Sequence, residues 1–241
     1  MFIGSGTVIN IIAVLIGSTL GVFIAHRLNE KIREVVTDGL GLVTGMIAVL
    51  TTAAITDPSL TQTLGSGRPV LIVLASVVVG GMVGAALRIE ERLETFGDRL
   101  KARFSGEDGS RFTEGFVAAS LLFCVGVMSV LGPITDGLGD GNEILVLKST
   151  LDFFASIAFA SVFGWGVAAS AVTILVFQGS LTALGYALGN FMSDIQVLML
   201  TATGGLLLLA ISLRLLNLKQ IPVGNMLPAL VIAPLLTALI A

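Results

Sequence analysis

Three polar side chains recur at helical spacing in the otherwise apolar stretch 148–166, KSTLDFFASIAFASVFGWG. Lys148, Asp152 and Ser156 are each four residues apart, so they share one face of a helix, and Ser149 lies beside them. A charged side chain in hydrocarbon costs roughly 2.5–3.5 kcal/mol on insertion scales, so it persists only where a partner or water stabilises it. These four residues are candidates for binding a small solute or an ion. The structural alternative is an ion pair that only docks the helix.

Two amide side chains in other apolar stretches extend this candidate set. Gln178 belongs to the next predicted helix, which a tight turn at residues 164–166 would fold back against the first. Ser149 and Asp152 would then be partners for Gln178 in a binding site. The alternative, of equal weight, is that Gln178 only holds the helices together through an interhelical hydrogen bond worth about 0.6 kcal/mol. Asn10 is the amide of the first apolar stretch.

A third amide, Asn225, lies in the segment 222–228, PVGNMLP. Pro228 cannot donate a hydrogen bond to the carbonyl of Gly224, and a glycine itself weakens a helix. Unwound backbone at membrane depth is tolerated where protein or a water-filled cavity satisfies it, as in the binding sites of transporters. The segment predicts a binding position at Asn225, with a simple proline kink as the alternative.

Two acidic residues, Asp136 and Asp140, belong to the run of turn-forming residues 132–142, which predicts an outer loop. Their carboxylates would attract cations to an entrance, or would only keep the loop soluble.

The composition is that of an integral membrane protein in contact with the lipid bilayer. Of the 241 residues, 55% are hydrophobic and 12% are charged, with a mean hydropathy of +1.00, whereas soluble domains carry about 25% charged residues. The net charge of −3 gives no basic surplus for nucleic acid. Because the chain has one cysteine and one histidine, and no convincing phosphate loop or nucleophile motif, we expect no enzyme, metal or cofactor.

Hydropathy predicts an all-α polytopic bundle of about eight transmembrane helices, with seven as the alternative count. The predicted spans are residues 3–25, 39–56, 69–87, 114–131, 144–163, 167–188, 195–213 and 221–241. An outer loop is expected at 57–68. The segment 26–36 and the first part of 88–112 are amphipathic, which predicts interfacial helices.

The positive charges orient these spans. With eight spans and both termini outside, only Arg68 and Lys148 of the 13 Lys and Arg residues fall on or near the outer side. This distribution is a strong positive-inside bias, so the basic loops are expected in the cytoplasm. Seven spans would put the basic segment after the seventh span on the wrong side.

A weak internal repeat relates residues 14–28 to 73–87, which are both apolar, rich in small residues and followed by an amphipathic linker. Two helices per unit preserve direction, so this would be a parallel repeat within a single transmembrane domain, 1–241. Residues 1–112 would hold the first two hairpin repeats, and residues 113–241 the polar-lined helices four to eight.

Small residues also pair at i,i+4 spacing in the third span, Gly80 with Gly84 and Gly81 with Ala85. This spacing predicts a close helix contact, within the chain or in a homo-oligomer.

Short motifs along the whole chain carry a family resemblance. They are GTVIN at 6–10, FCVG at 123–126, DGLGD at 136–140, KSTLD at 148–152, ASI at 155–157, SA at 170–171, QG at 178–179 and NMLPAL at 225–230. Together they resemble the bacterial YqgA/YdfK family, a family of unknown function described only as membrane or transport proteins. The resemblance implies a helical fold and a place in the bacterial plasma membrane. One departure is Val127, where the family is expected to carry proline.

These features together predict a secondary transporter or channel for a small solute or an ion. The predicted site groups Asn10, Lys148, Ser149, Asp152, Ser156, Gln178 and Asn225. Asp152 would bind the proton or the cation (H⁺ or Na⁺), Lys148 would be its partner or an anion contact, and the amides would orient the solute. The alternative, from a different class, is a non-transporting scaffold or regulator that acts through the basic inner segments.

Overall fold

The computed structural model describes residues 2–25, 30–92, 95, 109–124, 127–139, 141–188 and 192–240. All regular structure in these ranges is helical. Within them, seven helices are long and apolar enough to cross a bilayer, which confirms the predicted all-α membrane fold. An eighth crossing is present if Arg111–Cys124 and Met128–Leu138, which meet at a bend of 60°, form one span.

Helices account for most of the described residues. In chain order they are α1 (Ser5–Ala25), α2 (Glu30–Thr52), α3 (Pro58–Leu64), α4 (Arg68–Ala86), α5 (Gly109–Cys124), α6 (Val127–Leu138), α7 (Glu143–Phe163), α8 (Trp165–Leu188), α9 (Asp194–Leu215), α10 (Val223–Met226) and α11 (Ala229–Ile240). A 3-10 turn, Ala53–Thr56, extends α2.

The chain divides into two compact units. The first contains Met1–Leu40 and Glu94–Phe191. In it, α1 packs along α7 and against α8, while α5 and α6 pack on α8. The second contains Gly41–Leu93 and Met192–Ala241. In it, α9 and α11 pack against each other and against α4.

Glycines set the close approach of α1 to α7 in the first unit. A Cβ atom at Gly17 would overlap the Ser156 hydroxyl, and one at Gly21 would overlap the carbonyl oxygen of Ile157. At the end of α7, Gly164 takes a positive φ of 66° and the chain reverses directly into α8. The tight turn predicted there is confirmed.

Glycines of α4 play the same part in the second unit. A Cβ atom at Gly80 would lie 2.5 Å from the Ala229 nitrogen, and one at Gly84 would overlap the carbonyl oxygen of Asn225. The predicted contact is therefore confirmed within the chain for these two residues. Gly81 has no described atom within 4 Å of its Cβ position, so a contact at Gly81 stays a prediction for a homo-oligomer.

Three local predictions are also wrong. Residues 132–138 continue α6, with Pro133 inside the helix, instead of forming a loop. The expected outer loop 57–68 contains α3, which starts after Asp57 because the Asp57 side chain accepts from the Ser59 amide. Residues 30–36 belong to α2, so they form no separate interfacial helix. The rest of the two predicted interfacial segments, 26–29 and most of 93–108, lies outside the described residues.

Candidate functional site

A set of buried polar side chains crosses α1, α7 and α8. Lys148 and Asp152 are 5% and 7% exposed, and the Lys148 ammonium group donates to Asp152 Oδ2. Asn10 and Gln178 are fully buried, and Asn10 Nδ2 donates to Gln178 Oε1 at 3.3 Å. Asn10 also interacts with the Asp152 carboxyl group. These four side chains therefore form a continuous chain across three helices, which we call the polar layer.

The polar layer contains two hydrogen-bonding atoms without partners. Asn10 Oδ1 and Gln178 Nε2 have no partner among the residues that the structure describes. Two amides that face each other can exchange two hydrogen bonds, but here one is made. A buried polar atom without a partner costs about 1–3 kcal/mol. One acceptor and one donor therefore remain open beside the ion pair.

The two predicted serines of α7 lie beside the polar layer and bond to their own helix. Ser149 Oγ donates to the Leu145 carbonyl at 2.6 Å, and Ser156 Oγ donates to the Phe153 carbonyl at 2.8 Å. Each hydroxyl oxygen can still accept a hydrogen bond. Ser156 also lies against Gly17, so its position is set by the packing of α1 on α7.

The polar layer lies close to the middle of α7. The 21 residues of α7 span about 31 Å at a rise of 1.5 Å per residue, and Asp152 is roughly 14 Å from the helix start. The hydrocarbon core of a bilayer is about 30 Å thick. Asp152 therefore lies about midway along α7, and Lys148 lies one turn closer to the start of the helix.

A cavity of about 190 Å³, which we call the vestibule, opens beside the N-terminal end of α1. Its lining residues are Phe2, Ile3, Ser5, Asp136, Gly139, Gly141, Asn142 and Glu143. Leu145 follows Asn142 by one turn of α7; it is fully buried and packs against Gly6 and Gly132. Lys148 comes one turn further along. An apolar side chain therefore separates the vestibule from the polar layer.

Asp136 lies on α6 and is buried, so its predicted place in a solvated outer loop is wrong. Its carboxylate accepts from the backbone amides of Gly4 and Gly6 at 3.2 and 3.0 Å. The first amides of a helix have no intrahelical partner, and negative charge is stabilised there. Asp136 therefore caps α1. Asp140, the other predicted entrance residue, lies outside the described residues.

Comparison with known proteins agrees with the resemblance carried by the motifs. Residues 5–238 match the family model described as "Protein of unknown function (DUF554)". The chain belongs to the DUF554 family. The uncharacterized membrane protein YdfK of Bacillus subtilis (strain 168) is 28% identical over 229 residues, which cover 95% of this chain and 93% of YdfK. The uncharacterized protein YqgA of Escherichia coli (strain K12) is 30% identical over 237 residues, or 97% and 96% of the two chains. No solved structure gives a significant match.

In this DUF554 chain the remaining predicted site residue, Asn225, belongs to the second compact unit, whereas the other six belong to the first. The predicted break is present, because α10 ends at Met226 and α11 begins at Ala229. Pro228 has no amide hydrogen to donate to the Gly224 carbonyl. This carbonyl accepts instead from the Leu227 amide at 3.3 Å.

The Asn225 side chain is engaged inside its own unit. Asn225 Oδ1 accepts from the Glu90 amide at 2.9 Å. The Glu90 carboxylate accepts from the Gly224 amide and, at 2.8 Å, from Arg214. These contacts hold the start of α10 against residues 89–92, so the role of the Asn225 side chain here is structural.

Sequence reasoning missed two polar contacts that border the polar layer on the vestibule side. Asn142 Nδ2 donates to Ser5 Oγ at 2.8 Å, and the hydroxyls of Thr7 and Thr182 lie 3.4 Å apart. Thr182 follows Gln178 by four residues, so its place on the same face of α8 could be found from helical spacing. The DUF554 chain thus has a polar face on α8 as well as on α7.

Proposed function

We propose that this protein moves a small solute or an ion across the bacterial plasma membrane, with the polar layer as its binding position. The observation that supports this function most is the buried Lys148–Asp152 pair beside two amide atoms that have no partner among the described residues. Ionisable groups inside a membrane bundle are rare and mark substrate or ion pathways in most cases.

Helix docking is a weaker explanation of the ion pair. Lys148 and Asp152 are on the same helix, so their contact with each other does not join α7 to a neighbour, and the link to α1 through Asn10 needs no Lys148. Replacing a buried ion pair by apolar residues is often neutral or stabilising. The buried position of the pair is better explained by a solute that binds to both charged groups in place of their contact with each other.

The surroundings of the polar layer fit alternating access. On one side Leu145 separates it from the vestibule, and on the other the contacts at Gly17 and Gly21 close α1 against α7. A binding position near the midplane with a barrier on each side is the arrangement of secondary transporters. Movement of α1 against α7 would open one barrier or the other.

The charge distribution supports an orientation with both termini outside and the basic loops in the cytoplasm. In a Cys124→Ser background, cysteines introduced at Ser105 and at Gly139 should react with impermeant thiol reagents from opposite sides. Reaction of both cysteines from outside would overturn this orientation. A homo-oligomer stays a prediction of the sequence.

Flux into proteoliposomes tests the proposed function. The assay compares protons, alkali cations and a panel of labelled small solutes, each normalised to folded protein. Asp152→Asn keeps the size of the side chain but removes its charge, so it should abolish the flux, and Lys148→Gln should leave part of it. Thr150→Val, at an exposed position of the same helix, is the matched control. Full flux per folded molecule in Asp152→Asn would exclude the polar layer as the site, and no flux of any tested solute through the wild-type protein would favour a scaffold.

A further inference from the structure

We infer that the polar layer binds a zwitterion of the amino-acid class, through one ammonium and one carboxylate group. This inference rests on the proposed function and names its substrate class. It is carried by the net charge of the layer and by the two amide atoms that have no partner in the described part of the chain.

The charge of the polar layer favours a cargo without net charge. Lys148 and Asp152 are paired and sum to zero. A bound cation would leave the layer with one uncompensated positive charge, and a bound anion with one negative charge. Uncompensated charge is strongly disfavoured in a medium of low dielectric constant. A zwitterion adds equal and opposite charges, so the layer stays neutral while it is occupied.

The two unpaired atoms match the two ends of a zwitterion. A carboxylate can accept from Lys148 Nζ and from the open donor Gln178 Nε2. An ammonium group can donate to the Asp152 carboxylate and to the open acceptor Asn10 Oδ1. Each end of the ligand then has one charged and one amide partner. A simple anion would leave Asn10 Oδ1 unpaired, and a simple cation would leave Gln178 Nε2 unpaired.

Lys148 and Asp152 can release each other and bind the ligand while both side chains stay on the same face of α7. The Lys148 ammonium group and the Asp152 carboxylate are each other's salt-bridge partner, and their contact would open to admit the ligand. The ring centroid of Phe123, on α5, lies 5.9 Å from Lys148 Nζ. An aromatic face at this distance attracts a cation, so Lys148 keeps a favourable neighbour while it turns from Asp152 to the ligand.

Calorimetric binding to the purified full-length protein tests this inference. The ligands are a panel of the common amino acids and, as matched fragments of alanine, ethylamine and propionate. At least one amino acid should bind the wild-type protein, and both fragments should bind roughly tenfold more weakly or worse, since each lacks one charged contact.

Single-charge variants should change the preference in opposite directions. Asp152→Asn should lose the amino acid and bind propionate more tightly than the wild type does. Lys148→Gln should lose the amino acid and bind ethylamine more tightly. Asn10→Ala and Gln178→Ala keep both charges, so they give the same test if the charge variants do not fold; each should weaken amino-acid binding about tenfold. Thr150→Val is the control that should bind as the wild type.

Several results would overturn the inference. They are no amino acid binding to the wild type, a fragment that binds as tightly as the tightest-binding amino acid, and unchanged binding in both amide variants. Flux of an inorganic ion that depends on Asp152, without amino-acid binding, would leave the transport function in place and reject only this substrate class.

Discussion

Gly17 of α1 lies directly against the Ser156 hydroxyl of α7. The contact is so close that a methyl group on residue 17 would overlap the Ser156 oxygen and lie 2.5 Å from the Phe153 carbonyl oxygen. Small residues allow membrane helices to approach backbone to backbone. This contact, repeated one turn later at Gly21, brings Asn10 of α1 to Gln178 and to Asp152.

Gly17→Ala should therefore destabilise the first unit. The added methyl group has to push α1 away from α7, and overpacking of this kind costs about 1–3 kcal/mol. Thermal unfolding in detergent, followed by the fluorescence of Trp165, measures the effect. Gly179→Ala is the control, because the nearest described atom to its Cβ position is Leu175 Cδ1 at 3.9 Å. Equal melting temperatures of the two variants would contradict the close contact.

Two glycines of α4 give a matched pair in the second unit. Gly84→Ala should lower stability by about 1–3 kcal/mol, because its methyl group would overlap the Asn225 carbonyl oxygen. Gly81→Ala meets open space in the described structure and should gain up to about 1 kcal/mol from helix propensity. Thermal melts followed by circular dichroism compare the two variants, and a loss of stability in Gly81→Ala would argue for a contact outside the single chain.

The capping of α1 by Asp136 predicts faster hydrogen exchange at the start of that helix in Asp136→Ala. The Gly4 and Gly6 amides would lose their acceptor, and an unsatisfied buried group costs about 1–3 kcal/mol. Exchange of the N-terminal peptide, read by mass spectrometry, gives the result. Glu143→Ala removes an exposed carboxylate of the same vestibule and should leave the exchange unchanged. Unchanged exchange in Asp136→Ala would exclude the cap.

Leu145 should control access from the vestibule to the polar layer. In a Cys124→Ser background, Ser149→Cys should react slowly with an impermeant thiol reagent, because Leu145 fills the space between Gly6 and Gly132. Adding Leu145→Ala should speed the reaction several-fold. Leu151→Ala, at an exposed position of α7, is the matched control. The same rate with and without Leu145→Ala would show that this side chain is not the barrier.

The cap of α3 should depend on pH. The Asp57 carboxylate accepts from Ser59 Oγ at 2.6 Å and from its amide at 2.9 Å, and these hydrogen bonds lower the pKa of Asp57. A lowered pKa in the folded state adds stability above the unfolded pKa, and this is lost as the pH falls through the folded value. Exchange of the α3 amides, corrected for the intrinsic rate, should accelerate below about pH 4. Asp57→Asn should show no such step, and a step of the same size in that variant would assign it to another group.

Much of the polar layer followed from helical spacing alone. The interval of four residues placed Lys148, Asp152 and Ser156 on one face, and the turn at Gly164 correctly put α8 against α7. The interval carries no information on which residue of α1 would meet Gln178. Asn10 is a candidate from the sequence only as the amide of the first apolar stretch, and the structure shows its partner 168 residues away.

The local errors share a physical cause, which is that contacts distant in sequence override local signals. Glycine and proline at 132–137 indicate a loop, yet this segment stays helical where Gly137 packs against the Thr182 carbonyl of α8. Asp136 looked like a soluble loop residue because the amides that it caps are 130 and 132 positions away. Asn225 looked like a binding residue because its partner, the Glu90 amide, lies in a segment that the sequence indicates only as amphipathic.

Both charges of the ion pair lie on α7, and this placement bears on how the protein is made. A helix that enters the bilayer with a lone Lys or Asp near its centre bears roughly 2.5–3.5 kcal/mol of insertion cost. Lys148 and Asp152 are one turn apart and can neutralise each other before any other helix is present. Asn10 has no such neighbour, since its amide partner is synthesised 168 residues later. During biogenesis α7 can therefore insert on its own, while the amide pair forms only when α1 docks against the completed hairpin of α7 and α8.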